Sequence, residues 1–116
     1  MIYLETIAVQ IAEYMGETYS SERDLVSEED QRLWLAYALL CVAKGSATTG
    51  RDVHDAWASV VATTRPVHPS LVPYDQLELV VQIKDEAFCD AIRYVALKNQ
   101  REQRQRMLRK LYGPIP

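Results

Sequence analysis

Side chains with the chemistry to bind a small molecule are concentrated between residues 51 and 75. The set combines two imidazoles, two aromatic rings, two guanidinium groups and two carboxylates: His54, His68, Trp57, Tyr74, Arg51, Arg65, Asp55 and Asp75. Aromatic rings offer a stacking face, and arginine is suited to the planar recognition of phosphate. We therefore expect the ligand-binding residues of the protein to be among these eight.

Several of these side chains also have a structural interpretation. His54 and Asp55 are adjacent, so on a helix they point about 100° apart and cannot act as a simple dyad. His54 would then pack or bond locally, and Asp55 would cap or orient the loop that follows. Trp57 lies in the apolar stripe of its helix, which favours a place in the core. The phenol of Tyr74 suits a buried hydrogen bond and a stacking contact equally well.

The same region provides little evidence for a metal site or for catalysis. The two histidines and the nearby carboxylates lack the H-x-x-x-H or C-x-x-C spacing of a metal site. The sequence contains no Walker loop, no G-x-G-x-x-G and no G-x-S-x-G motif, and nothing marks Cys89 as an activated nucleophile. We expect a protein that is not an enzyme and that carries no metal and no cofactor.

The segment from residue 68 to residue 77 is expected to be an ordered loop. Pro69 and Pro73 fix φ and remove two backbone donors. The loop also keeps large side chains that solvated loops usually lose: Leu71, Val72, Tyr74 and Leu77. Rigid loops of about this length are uncommon in small domains and are often binding elements, so the loop is the leading candidate for a site.

Apolar residues at three- and four-residue spacings predict an all-α fold. We expect a single small domain of four main helices, with the proline-rich ordered loop before a long C-terminal helix. The first helix is predicted over residues 2–15, with Gly16 as its stop. The second follows the N-cap Ser27 and ends at Lys44-Gly45.

The third and fourth predicted helices lie on either side of the loop. Thr49 stands in capping-box spacing with Asp52 at the start of the third helix, and Pro66 ends its pattern. The fourth carries a long apolar stripe and continues to Tyr112. No segment alternates with the period of a strand.

Composition and cysteine use indicate the compartment. The 116-residue chain has no apolar run of the ~20 residues needed to cross a bilayer, and it begins without a signal-peptide pattern. Cys41 and Cys89 lie in apolar helical patterns and are interpreted as small buried hydrophobes rather than as a disulfide. We expect a cytoplasmic protein without membrane contact.

Charge separates along the chain, whose net charge is −3. Acidic residues dominate the first thirty positions, whereas residues 98–116 are predicted to form a basic helical tail after a domain at 1–97. Such a tail suits an acidic partner, including the acidic face of a second copy, so we expect a homo-oligomer. Nucleic acid is disfavoured as a partner, because the pI is near 5.3 and no aromatic residues alternate with the basic ones.

Residues 33–63 also have the spacing of a helix-turn-helix. A helix that reads DNA presents Arg, Lys, Asn or Gln on its exposed face. Here that face offers Asp52, Asp55, Ser59 and only Arg51. Negative charge facing phosphate argues against DNA binding.

Three ordered blocks resemble the ryanodine receptor repeat domain. They are His54-Asp55-Ala56-Trp57-Ala58, then His68-Pro69-Ser70-Leu71-Val72-Pro73-Tyr74-Asp75-Gln76-Leu77, and then Asp85. The family carries H-D-x-W-A, H-P-x-L-V-P-Y-x-x-L and E-K-x-x-D-R, and the resemblance covers roughly residues 50–96. The chain departs from the pattern at three points: no Arg follows Trp57-Ala58, no Gly-Trp-x-Tyr-Gly stretch precedes the second block, and Glu86 replaces the Arg after Asp85. The run from Lys44 to Trp57 also resembles small proteins of actinobacterial phages.

The resemblance implies a small non-enzymatic, phage-type module that sequesters a nucleotide-derived ligand in the host cytoplasm. An ADP-ribose-like or cyclic nucleotide immune signal would be such a ligand, and the protein would act against host defence. Tyr74 or Trp57 would stack on the base, and Arg51 or Arg65 would meet a phosphate. The alternative is a protein-interaction module in which the loop is structural and the basic tail docks on a host protein or a second subunit.

Overall fold

The computed structural model describes residues 3–22 and 25–114. Within them the chain forms four α-helices and no strand: α1 (Tyr3–Tyr14), α2 (Glu28–Ala43), α3 (Gly50–Thr64) and α4 (Leu79–Tyr112). Short 3-10 turns lie at Gly45–Ala47 and Tyr74–Gln76. The prediction of one small all-α domain is confirmed. No helix in these ranges has the length and apolar character needed to span a membrane.

The predicted N-caps define the starts of α2 and α3. Ser27 Oγ accepts a hydrogen bond from the Asp30 N–H at 3.2 Å. At Thr49 a full capping box forms, because its hydroxyl accepts from the Asp52 N–H while the Asp52 carboxylate accepts from the Thr49 N–H. Each of these bonds satisfies a backbone N–H group for which the helix itself provides no carbonyl acceptor.

The helix ends follow the predicted signals closely. α1 ends at Tyr14 rather than at residue 15, and Gly16 follows in the left-handed region with φ +72°. The predicted first residue of this helix, residue 2, lies outside the described residues. α3 ends at Thr64, two residues before Pro66, so the proline stands just beyond the helix, as expected.

The core is a single cluster where the four helices meet. Its buried members come from every helix: Ile7, Ala8, Ile11, Ala12, Trp34, Tyr37, Ala38, Cys41, Val53, Cys89, Ala91, Ile92 and Val95. Both cysteines are free and buried, as predicted. Burial raises the pKa of the Cys41 thiol to about 11, so this thiol stays protonated at neutral pH.

The corner between α2 and α3 is held against α4 by backbone carbonyl groups. The Thr48 hydroxyl donates to the Gly45 carbonyl at 2.8 Å. From α4, the Cys89 thiol donates to the Thr48 carbonyl at 3.1 Å, and Arg93 Nε donates to the Ser46 carbonyl at 3.0 Å. These bonds place the start of α3 beside the middle of α4, where the candidate site lies.

Helix α4 extends well beyond the bundle. Its 34 residues span about 51 Å at 1.5 Å per residue, and the longest dimension of the molecule is 56 Å. Val95 is its last buried residue, and Asn99 Nδ2 donates to Gln10 Oε1 of α1 at 2.9 Å. Residues 100–112 are all exposed, so the end of α4 projects from the bundle.

Candidate functional site

A cavity of about 250 Å³ lies among α2, α3, α4 and the proline-rich loop. Nine residues line it: Tyr37, His54, Trp57, His68, Ser70, Val81, Lys84, Asp85 and Phe88. Mostly apolar or aromatic walls with a few polar groups are typical of small-molecule sites. The volume lies below the range of about 300–1,000 Å³ that suits drug-sized ligands, so the cavity fits one ring system.

Aromatic side chains form much of the cavity wall. His54 and Trp57 are three residues apart and therefore share one face of α3; their rings are stacked with centroids 5.5 Å apart. The loop adds His68, whose ring meets Trp57 edge-on at 5.1 Å. Tyr37 and Phe88 contribute a further pair of rings at 5.1 Å. Such walls favour a flat ring, which gains stacking or edge contacts from them.

His54 connects the loop to the helices. Its side chain is buried, and Nε2 lies 2.6 Å from the Val72 carbonyl oxygen. Because a carbonyl oxygen only accepts, Nε2 carries a proton and donates it. His54 therefore orients the loop, a role that we had expected of Asp55. Asp55 itself is exposed on α3, and its side chain makes no hydrogen bond to the loop.

Asp85 is the buried carboxyl group of the cavity. The residue is 8% exposed, and its Oδ2 has no hydrogen-bond partner within the described ranges. His54 Nδ1 lies 3.6 Å from Oδ2, which is too long for a hydrogen bond. Burial raises the pKa of Asp85 to about 6; the nearby His54 lowers it and Glu86 raises it. Near pH 6 the group can thus either accept or donate a hydrogen bond.

Two more polar groups face the cavity. His68 Nδ1 accepts a hydrogen bond from the Ser70 N–H at 3.0 Å, which leaves the other ring nitrogen for a ligand. Lys84 also lines the cavity, and its exposed side chain makes no ion pair with any described residue. A lysine in this position is available to an anionic group that extends out of the cavity.

Three of the predicted site residues form a separate cluster on the outer side of the loop. Arg51 Nη2 lies 2.9 Å from both carboxylate oxygens of Asp75, and its guanidinium carbon is 5.9 Å from the centroid of the Tyr74 ring. The Tyr74 hydroxyl donates to Glu86 Oε1 at 2.7 Å. These contacts hold the 3-10 turn of the loop between α3 and α4, and none of the three residues lines the cavity.

Arg65 lies away from the cavity, at the C-cap of α3. Its Nη2 pairs with Glu29 Oε1 of α2 at 2.7 Å. The structure therefore brings three of the eight predicted residues together at the cavity: His54, Trp57 and His68.

The predicted set did not include Tyr37, Lys84, Asp85 or Phe88. For Asp85 a sequence signal exists, because Val81, Asp85, Phe88 and Ile92 follow at spacings of four, three and four residues. These positions share one face of a helix, so a charged residue stands within an apolar stripe. A carboxyl group in such a stripe marks a candidate functional residue.

The polar groups of the cavity are not arranged as a metal centre. Across the described parts of the chain, no group of three His, Cys, Asp or Glu side chains is placed to hold a metal ion. His54 and His68 each use one ring nitrogen for a backbone group, Val72 or Ser70. The side chains that line the cavity can instead contact a ligand by stacking, hydrogen bonding and charge pairing.

A family model described as a domain of unknown function (DUF7701) matches residues 2–97. No curated protein and no solved structure matches the chain. The identification as a ryanodine receptor repeat domain is therefore wrong. The motif residues that suggested it have local tasks in this fold, since His54 binds the Val72 carbonyl and His68 binds the Ser70 N–H. Because the matched range covers most of its length, the chain belongs to the DUF7701 family.

Proposed function

We propose that this protein binds a small ligand with a flat heteroaromatic ring, of the kind present in nucleotide-derived molecules. The ring would occupy the cavity beside His54, Trp57, His68 and Asp85, and the protein would sequester the ligand. One observation carries the proposal: Asp85, which lines an aromatic-walled cavity, has a buried carboxyl oxygen with no hydrogen-bond partner among the described residues. A buried polar group without a hydrogen bond lowers the free energy of unfolding by roughly 1–3 kcal/mol. The presence of such a group beside a cavity therefore supports a role in ligand binding.

The chemistry of the cavity favours a base-like ring. Trp57 and His68 would contact the faces or edges of the ring, and Asp85 would accept from a ring N–H or, when protonated, donate to a ring nitrogen. Lys84 would meet a phosphate on the same ligand. Arg51 and Arg65 are less suited to that task, because each already pairs with a carboxylate.

In this proposal the protein binds its ligand without converting it chemically. Support comes from the two thiols, which are buried outside the cavity lining. Burial is the main cause of the raised pKa of both Cys41 and Cys89, and a protonated thiol is a weak nucleophile. The loop supports sequestration, since a loop already fixed by Tyr74 and His54 lowers the cost of ordering on binding.

A thermal-shift and calorimetric panel tests this function. Free nucleobases, nucleosides, mononucleotides, ADP-ribose and cyclic nucleotides are offered to the full chain. A ligand present at a hundred times its dissociation constant adds about 2.7 kcal/mol to the free energy of unfolding. We expect at least one class to bind, and Trp57→Leu and Asp85→Asn to weaken binding at least about tenfold, a loss of about 1.4 kcal/mol.

Arg65→Ala is the matched control, because it removes a polar contact of α3 that lies away from the cavity. It should leave the affinity unchanged. A panel in which no heteroaromatic compound binds would overturn the proposal, and so would a ligand whose affinity is the same in folded Trp57→Leu and Asp85→Asn variants.

A further inference from the structure

The projecting end of α4, residues 98–112, carries a charge opposite to that of the rest of the molecule. We call this segment the α4 tail. It contains six Lys or Arg residues and one Glu, a net charge of +5, so a chain of net charge −3 has −8 on its other residues. None of the six basic side chains forms an ion pair with a described residue. Unpaired cations on an exposed helix suit an acidic surface.

One face of α4, from Leu97 just before the α4 tail to Leu111 within it, combines leucines with two arginines. Leu97, Arg101, Arg104, Leu108 and Leu111 alternate at spacings of four and three residues, so they form one stripe along the helix. All five are exposed, Leu111 by 71%. This stripe has a positive middle and apolar ends.

A groove of about 470 Å³ at the connection between α1 and α2 has the complementary chemistry. Leu25, Leu33 and Trp34 contribute apolar surface, and Glu17 and Asp30 contribute carboxylates. Leu25 is 68% exposed. Neither carboxylate forms an ion pair or a side-chain hydrogen bond within the described ranges. The groove therefore offers apolar surface beside two negative charges that pair with none of the basic residues in ranges 3–22 and 25–114.

The α4 tail cannot reach the groove of its own molecule. Helix α4 passes the end of α1, where Tyr94 lies against Tyr14 with ring centroids 4.8 Å apart. It then passes Gln10 at Asn99. The tail thus runs toward the start of α1, away from the α1–α2 connection, and only another molecule can bring a tail to the groove.

We propose that the α4 tail of one copy docks into the α1–α2 groove of a second copy. Arg101 and Arg104 pair with Glu17 and Asp30, while the leucines of the stripe pack on the apolar lining. Two antiparallel copies can exchange tails in this way, which closes the assembly as a symmetric dimer. This docking does not require the ligand of the cavity, although the groove and the cavity share Tyr37, Trp57 and Phe88 in their walls.

A second copy fits the tail better than nucleic acid does. The −8 charge on the other residues repels a polyanion and attracts the tail. The leucines of the stripe also need an apolar partner, which a phosphate backbone does not offer. Charge and apolar surface thus both favour this chain as its own partner.

Sedimentation velocity of the full chain tests the proposal at low and high salt over a wide concentration range. We expect a dimer that weakens with salt. Arg101→Glu with Arg104→Glu should raise the dissociation constant at least about tenfold, and Glu17→Arg with Asp30→Arg should do the same. Combining all four substitutions in one chain should restore the dimer, because the charges are then exchanged.

The matched control is Arg106→Glu with Arg109→Glu, which makes the same charge change on the tail but off the stripe. It should leave the dimer largely intact. A monomer at every concentration would overturn the proposal, as would a dimer that survives reversal of the stripe or a folded fourfold variant that stays monomeric. Fluorescence anisotropy with a labelled DNA duplex adds one more outcome: monomers that bind DNA through Arg101 and Arg104 would also overturn it.

Discussion

His54 Nδ1 and Asp85 Oδ2 face each other at 3.6 Å in the wall of the cavity. The other ring nitrogen of His54 donates to the Val72 carbonyl. The imidazole is thus held between the loop and the carboxyl group of α4. One side chain therefore contacts both the loop and the buried carboxyl group.

Replacing Asp85 with Asn should stabilise the protein at neutral pH. Burial raises the pKa of Asp85 to about 6 in the folded chain, above the usual value of about 3.9. The folded chain therefore holds this proton more tightly, and its loss lowers the free energy of unfolding as pH rises from about 4 to about 6. Asp85→Asn should add roughly 1–3 kcal/mol at pH 7 and little at pH 3.5.

Urea unfolding of the wild type and the variant at both pH values measures this effect. Asp55→Asn is the control, because Asp55 is an exposed carboxylate of α3 outside the cavity lining. If the free energies of unfolding of Asp85→Asn and wild type differ by the same amount at pH 3.5 and pH 7, that result would contradict the prediction that ionisation of Asp85 destabilises the folded protein.

Removal of the His54 ring should loosen the loop. His54→Ala leaves the Val72 carbonyl without its donor and opens a cavity beside Trp57, so we expect a loss of roughly 2–4 kcal/mol. Amide hydrogen exchange across residues 68–77 should become faster. His68→Ala serves as comparison, because that ring meets Trp57 edge-on but its hydrogen bond, accepted from the Ser70 N–H two residues away, lies within the loop itself. Unchanged loop exchange in His54→Ala would contradict the assignment of His54 as the residue that holds the loop.

The hydrogen bond between Tyr74 and Glu86 occupies the space that a side chain at Gly50 would need. A Cβ at Gly50 would overlap with Glu86 Oε1 and lie 2.9 Å from the Tyr74 hydroxyl, so Gly50→Ala should displace the carboxylate. The hydrogen bond to Glu86 is the main cause of the raised Tyr74 pKa of about 12. In the variant this pKa should fall toward about 10.

Carbon-13 NMR of labelled tyrosine follows that titration. Glu86→Gln is the control, since it weakens the same hydrogen bond without adding a Cβ at Gly50. Both variants should lower the Tyr74 pKa. A value near 12 in Gly50→Ala would mean that the carboxylate keeps its place and that a side chain at Gly50 is tolerated.

The capping box of α3 should be worth about 1 kcal/mol. Thr49→Ala removes the acceptor for the Asp52 N–H, which the helix itself cannot replace. Thr63→Ala makes the same substitution near the other end of α3, where the hydroxyl donates to Val60 of its own helix and accepts a long, exposed hydrogen bond from Arg32 Nη1 at 3.5 Å. Chemical unfolding should show a clear loss for Thr49→Ala and a change near zero for Thr63→Ala. Equal losses would argue against the capping role.

Local signals were enough to predict the helices. Ser27 and Thr49 cap helices through bonds that span three residues, and Gly16 takes the positive φ that ends α1. Such interactions depend on nearby residues only, so the sequence reveals them directly. The four-helix fold follows from these signals and from the apolar stripes.

The site depends on contacts between distant residues and was only partly predictable. Arg51 and Arg65 look alike in the sequence, yet each is paired with a carboxylate 24 or 36 residues away, Asp75 or Glu29. Asp85 reaches His54 only because α4 packs beside α3. No periodicity contains these pairings, which is why only three of the eight predicted residues line the cavity. The place of Asp85 in an apolar stripe can be read from the sequence, but its pairing with His54 cannot.

If the cavity beside Asp85 holds a heteroaromatic ring, the indoles of the two tryptophans should respond differently to the ligand. Trp57 lines the cavity, whereas Trp34 does not. In nitrogen-15 NMR spectra recorded during ligand titration, we expect the Trp57 indole signal to shift, the Trp34 signal to stay, and Asp85→Asn to suppress the shift. If no nucleobase, nucleoside or nucleotide moves the Trp57 signal, or if a shift persists undiminished in Asp85→Asn, the cavity is not the binding site.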